Sequence, residues 1–282
     1  MVGAARACST TRINRDDLEC VQGQMAFARR SPEERAPEVF FPRYEAIPMV
    51  SHEVTIRNAR PIVDDLSLDR EGFALVQHKT SCAKERNAEI LADRYLEEMV
   101  PFLKDYFNAA WVVPKRDGVI VRSAAKNAAT GIRGTAGMAH IDYAPISAPM
   151  LAARENHVQG LPIRSYSRLM IIQAWRAVSP PPQDIPLALC DSASVLDTDV
   201  LVHDYVSDIG ADWKSCLLYY SPLYRWYYFP DMTQDELILF KGYDSEENCN
   251  ARAAHTGFDN RRAYPNALPR ESIEARFYVY YA

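Results

Sequence analysis

The chain has 282 residues, a formal net charge of -5 and a pI near 5.7. Apolar residues, counting Tyr, make up 48% of it, which is ample for a packed core. The acidic balance argues against a nucleic-acid surface, which needs a basic stripe, and no apolar run reaches the roughly 20 residues of a membrane span.

Residues 1–36 are polar, Arg-rich and unpatterned, and read as a mobile N-terminal arm ahead of a single domain over 37–282. The opening MVGAARACSTTRINR has no apolar h-region, which argues against a secretory signal. VTIRNARPIV predicts a strand with an edge-type Pro, and GFALVQHKT another. Over AKERNAEILADRYLEEMVPFLKDYF the residues Ile90, Leu91, Tyr95, Met99 and Leu103 fall near helical spacing, which predicts a helix that Pro101 splits in two.

Beyond the helix, AAWVVPK, GVIVRS, SRLMIIQAWRAV, LALCD, DWKSCLLYYS, RWYYFP, ELILFKGY and ARFYVYY are short, β-branched or aromatic, and separated by Gly, Pro, Asp and Asn. Such spacing predicts a mainly β fold, a jelly roll or double-stranded β-helix of cupin-like type with flanking helices. The Pro-rich SPPPQDIP reads as a loop. Cys8, Cys20, Cys82, Cys190, Cys216 and Cys249 show no C-x-x-C spacing and read as reduced thiols of a cytoplasmic protein.

The motif that carries chemistry is His140-x-Asp142, followed downstream by His255 and then by Arg270-x-Ser272. On a strand, residues i and i+2 point to the same side, so His140 and Asp142 can both reach one ion. His255 must arrive from another strand. Two imidazoles and one carboxylate leave three positions of an octahedral ion open, which suits non-haem Fe(II). Arg270 and Ser272 offer a guanidinium fork beside a hydroxyl, a clamp for a carboxylate. Metal triad and clamp together predict an oxygenase using Fe(II), with 2-oxoglutarate and O2 as co-substrates.

The same i, i+2 rule puts Arg270, Ser272, Glu274, Arg276 and Tyr278 on one strand face. Four polar inward positions are costly unless they line a site. Alternation alone fits a solvated face equally well. In RWYYF, Trp226 and Tyr228 are candidates for a substrate wall and Tyr227 and Phe229 for the core. We further expect Gln173 and Trp175 near the co-substrate, and Tyr143, Arg122 and Arg276 near the substrate. Arg225, Arg168 and Arg176 each need a buried anion or a route to solvent. His52, His78, His157 and His203 read as structural.

AHIDYAP, QAWRAVSPPPQDIPLALCDSASV, SPLYRWYYFPDMTQDELILFKGYDSEENCNARAAHTGFDN and PRESIEARFYVYY carry a resemblance from about residue 50 onward. The chain resembles the hydroxylase/desaturase family of fungal and bacterial secondary metabolism, related to the accessory chain of cephamycin 7-methoxylation. The resemblance implies a double-stranded β-helix and an Fe(II)/2-oxoglutarate mechanism. It carries the metal and co-substrate positions onto His140, Asp142, His255, Arg270 and Ser272. Two departures are Gln173, where the family has Asn, and Ala254, where it has Pro. The expected partner is a small-molecule substrate, without nucleic acid or membrane, and a homodimer is compatible with the sequence. The rival readings are a catalytically silent, metal-containing β-barrel binder and a cupin-like metal-dependent isomerase or lyase.

Overall fold

Hydrophobic alternation in the second half of the chain folds into two facing sheets, seen in a computed structural model that describes residues 13–30, 43–85, 87–124, 134–206, 212–249 and 252–282. The strands are β1 (Cys20–Ala28), β2 (Met49–Asn58), β3 (Phe73–Gln77), β4 (Trp111–Pro114), β5 (Ile120–Ser123), β6 (His140–Ile141) and β7 (Arg168–Ala177). They continue with β8 (Leu187–Cys190), β9 (Val200–Val206), β10 (Asp212–Leu218), β11 (Trp226–Tyr228), β12 (Glu236–Asp244), β13 (His255–Gly257) and β14 (Glu271–Tyr281). Helix α1 covers Ala88–Tyr106 and α2 covers Ala148–Val158.

One sheet has eight strands in the order β1-β2-β11-β8-β13-β6-β10-β9, and the other runs β3-β12-β7-β14-β4 with β5 also on β14. Apart from β1-β2 and β9-β10, neighbours in these orders are not consecutive in sequence, as in a jelly roll. Trp175, Ile238 and Phe240 of the smaller sheet pack against Leu187, Leu189 and Tyr227 of the larger one to form the inter-sheet core. On the outer face of the smaller sheet, Ile273, Ala275, Phe277 and Val279 lie under the α1 stripe Leu91, Tyr95, Met99 and Leu103. That stripe has a four-residue step, the repeat expected of a helix with one buried face.

Several expectations change. The arm is not free over residues 20–28: β1 pairs with β2 through nine consecutive positions, from Cys20 opposite Arg57 to Ala28 opposite Met49. The rest of that arm, outside 13–30, lies beyond the described residues. Pro61 sits at the start of a 3-10 turn (Arg60–Asp65) and not in an edge strand, because β2 has ended at Asn58. Helix α1 runs unbroken through Pro101. Pro101 is exposed, so the carbonyl it cannot serve has access to water. Ile90 is also exposed and lies off the buried stripe.

Three arginines resolve as well. Arg168 forms a forked pair with Asp244, at 2.9 and 2.5 Å, and Arg225 pairs with Asp191. Arg176 is fully buried beneath α1, where it donates to the Tyr95 hydroxyl and to the carbonyls of His78 and Gln234. Among the described residues no carboxylate contacts it directly, and oxygen dipoles and the His78 ring satisfy the guanidinium.

Candidate metal centre

The site begins with three short strands of the larger sheet. β13 lies between β8 and β6, with His255 directly opposite His140 on one side and Leu189 on the other. The imidazole centroids are 4.3 Å apart. Asp142 follows β6 by one residue, and one ligand atom from each of His140, Asp142 and His255 lies within 4.8 Å of the others.

Both rings are oriented by the same local device. The Nδ1 of His140 faces the carbonyl of Met138 at 2.9 Å, and that of His255 faces the carbonyl of Ala253 at 3.2 Å. An Nδ1–H donated to a backbone carbonyl leaves Nε2 with its lone pair free for a metal. Burial and the neighbouring His140 lower the pKa of His255 to about 4, so its imidazole is neutral near neutral pH. Burial alone would lower the pKa of His140, but the hydrogen bond and charge of Asp142 more than offset this and raise it. Burial opposes ionisation of Asp142, yet Arg276 and the histidines hold its pKa well below the usual carboxylate range. Two imidazoles with a pinned Nδ1 and one ionised carboxylate are a donor set that suits a first-row divalent ion.

A cavity adjoins these groups, lined among others by His140, His255, Trp175, Arg122, Arg270 and Glu274. The polar face of β14 therefore points inward: Arg270, Ser272, Glu274 and Arg276 are all buried. Arg270 stacks its guanidinium 5.4 Å from the centre of the Trp175 ring. Among the described residues its Nε has no hydrogen-bond partner, and neither does the Ser272 hydroxyl. Burial and the nearby Arg122 push the pKa of Arg270 down to about 10. Arg270 lines the cavity with its Nε unpartnered, and the Ser272 hydroxyl, also unpartnered, lies two residues further along the same strand face, an arrangement that fits an external anion. Arg122 is the direct cross-strand partner of Ser272 and also lines the cavity.

Other expected site residues fall elsewhere. Trp226 and Tyr228 share a face with their partners Cys190 and Ala188 and pack against Phe27, Ile56 and Phe258. They are core and line no part of this cavity. Tyr227, opposite Leu189, is on the metal-site face but is itself packed among Phe73 and Phe229. The assumption that one face of β11 must be a site wall fails because this strand is buried on both faces. Tyr143 packs with Val113, Leu151, Ile171 and Tyr278 and does not line the cavity. Arg276 lines it, but its fork is spent on Asp142 and Glu274, so it offers no free guanidinium to a substrate. Gln173 contacts the metal-site carboxylate and not a co-substrate position: its Nε2 donates to Asp142 Oδ2 at 2.7 Å. Sequence reading did not single out the carbonyls of Met138 and Ala253 that orient the histidines. Each lies two residues before its histidine, a regularity visible only once both ligands are known.

Fold and site together define a jelly-roll protein with a two-histidine, one-carboxylate centre facing a cationic cavity. A family model described as oxidoreductase/YMDC permease-like domain matches residues 25–280, and the chain belongs to that family. It is similar to the hydroxylase/desaturase efuI of Hormonema carpetanum, with 29% identity over 81% of this chain and 83% of that protein. It is also similar to the Fe(II)/2-oxoglutarate-dependent dioxygenase nvfI of Aspergillus novofumigatus, with 28% identity over 81% and 83%. A solved structure titled iron and alpha-ketoglutarate-dependent endoperoxidase NvfI superposes with a TM-score of 0.78 at 24% identity. The superposition covers 93% of this chain and 98% of that one, which establishes the shared fold. Among the described residues, no helix is long and apolar enough to cross a membrane.

Proposed function

We infer that the protein is an Fe(II)- and 2-oxoglutarate-dependent oxygenase of the hydroxylase/desaturase type, acting on a small-molecule intermediate of secondary metabolism. The observation that carries this reading is the pairing of two features at one cavity. His140 and His255 of a triad able to hold a metal line it, together with a buried Arg270 whose Nε lacks a partner among the described residues, and the Ser272 hydroxyl beside Arg270 is unpartnered too. A silent binder has no need for a carboxylate clamp beside its metal.

In this reading His140, Asp142 and His255 hold the iron. Arg270 and Ser272 take the far carboxylate of 2-oxoglutarate, and Arg122 adds positive charge beside them. Trp175 stacks on Arg270 and closes that end of the cavity. When bound, the iron and 2-oxoglutarate supply O2-dependent oxidation of a substrate C–H bond. The protein's own contribution is orientation and exclusion of water: the histidine tautomers are pinned, and the clamp is desolvated before any anion arrives. The relatives' printed names support this class and leave the outcome open among hydroxylation, desaturation and related oxidations. The reading also puts the enzyme in the cytoplasm, in keeping with free thiols at Cys20, Cys82, Cys190, Cys216 and Cys249.

The test is succinate release from 2-oxoglutarate under air, with and without Fe(II), across amino-acid, polyketide and terpenoid candidates. Iron-dependent release that rises with one of these substrates is the expected result. Protein that binds iron but neither binds nor consumes 2-oxoglutarate would instead be the silent metal-containing binder.

A further inference from the structure

We propose that Gln173 and Arg276 are positioning residues that keep Asp142 a one-oxygen ligand, by occupying its Oδ2 and leaving only Oδ1 for the ion. The proposal rests on the metal-binding reading above and assigns these two side chains a task within it.

Asp142 Oδ2 accepts from Gln173 Nε2 at 2.7 Å, from Arg276 Nη2 at 2.6 Å and from Arg276 Nε at 3.0 Å. A carboxylate oxygen has about two lone-pair sites, so three donors leave Oδ2 nothing for a metal. Oδ1 lies on the other side, 3.3 Å from His140 Nε2. The two donors come from the facing sheet and from one rung of it: Gln173 on β7 is the direct partner of Arg276 on β14. Side chains of such a pair share a face, so both reach Asp142 together across the inter-sheet space.

Each donor is held in turn. Arg276 Nη2 is 2.6 Å from Glu274 Oε1, and Nη1 points to the carbonyl of Gly118 at 3.4 Å. The Gln173 amide needs room, and Gly242 supplies it. The register of β12 against β7 shifts between Lys241 and Tyr243. A Cβ at position 242 would stand 2.9 Å from Gln173 Oε1 and 2.8 Å from the Tyr143 ring.

The consequence is a coordination count. Two imidazoles and one carboxylate oxygen leave three of six positions open. If Asp142 chelated through both oxygens, only two would remain. A co-substrate that binds through two atoms would then fill the site and leave no place for O2. Gln173 and Arg276 thus protect an open position without touching it.

The test uses the full chain and Co(II) as an anaerobic stand-in for Fe(II), following affinity and the visible spectrum, which reports the set of ligands around the ion. Gln173→Met keeps length but removes the donor, and Arg276→Met removes the fork. Loss of groups that support a metal ligand costs about 10- to 100-fold in metal affinity. We expect a loss near the upper end for Arg276→Met and the lower end for Gln173→Met. Both spectra should change, because exchange of one bound water for the second oxygen of Asp142 alters the ligand field of a six-coordinate ion. Arg276→Lys should recover part of the affinity but not the spectrum. Melting curves show which variants fold; if Arg276→Met does not, Gln173→Met decides alone. Wild-type affinity and an unchanged spectrum in the folded variants overturn the proposal. Failure of the wild type to take up Co(II) would instead overturn the metal-binding reading beneath it.

Discussion

His140 and His255 are directly opposed across a two-strand pair, 115 residues apart in sequence yet with ring centroids separated by 4.3 Å. Each ring donates or faces its Nδ1 to the carbonyl two residues earlier, so both Nε2 atoms are presented without a mobile loop. The centre is built from backbone register, and its weakest point is the loss of a ligand, not of a support.

His255→Ala should therefore bind Fe(II) far more weakly than the wild type while retaining its fold. Complete tight sites in small metal-folded domains contribute about 10 to 16 kcal/mol, so one of three ligands is worth several kcal/mol. Anaerobic iron titration of both proteins is the check. Equal occupancy would exclude His255 from the centre.

Arg270→Met should lose 2-oxoglutarate binding by about 3 to 5 kcal/mol, the cost of breaking a buried charge pair from one side. Iron affinity should change little. Because Arg270 Nε lacks a partner among the described residues, the variant should melt no lower than the wild type without 2-oxoglutarate. A drop in melting temperature together with unchanged 2-oxoglutarate affinity would assign Arg270 to structure.

Gly242→Ala should destabilise the protein by about 1 to 3 kcal/mol, as overpacking does. The added methyl meets the Tyr143 ring and the Gln173 amide, so metal affinity should fall with it. Denaturant unfolding and Co(II) titration on one preparation measure both effects.

Trp226→Ala should cost about 3 to 5 kcal/mol of stability, since the side chain fills a core shared with Phe27 and Ile56. At temperatures where the variant is folded, 2-oxoglutarate affinity should be that of the wild type. A stable variant with impaired turnover would return Trp226 to a substrate wall.

In the metal-free protein the contribution of His255 to stability should be lost as pH falls from about 6.5 to about 4, opposite in sign to that of His140, whose folded pKa is raised. The unfolded chain takes up a proton near pH 6.5, while folded His255 refuses it until about pH 4, so protonation favours the unfolded state in that window. The contribution is intact above the window. His255→Leu should show a shallower slope than the wild type over the same range, measured by urea unfolding in chelator. Parallel slopes would mean that His255 titrates normally.

Much of this site was visible as i, i+2 spacing. His140 with Asp142, and Arg270 with Ser272, could be assigned to shared faces because strand alternation is a property of the backbone. The mainly β class was legible for a similar reason, in the run of short apolar segments from Trp111 to Tyr281. β1 was missed because CVQGQMAFA mixes polar and apolar residues, and it is a strand through its pairing with β2. Trp226 and Tyr228 were misplaced because alternation separates two faces but does not say which is wet; β11 has neither face exposed.

Local chemistry is written in the residue order: which residue types could ligate, which could clamp, and which shared a side of a strand. Their partners depend on how the two sheets pack. The reach of Arg276 to Asp142 spans 134 positions, and that of Gln173 to the same oxygen spans 31. Both contacts cross the space between the two sheets, whose spacing and register are set by packing of the whole core. A guanidinium looks the same in sequence whether its Nε is unpartnered among the described residues, as at Arg270, or its fork is already committed to carboxylates, as at Arg276. The difference lies in which carboxylate the opposite sheet brings within hydrogen-bonding distance.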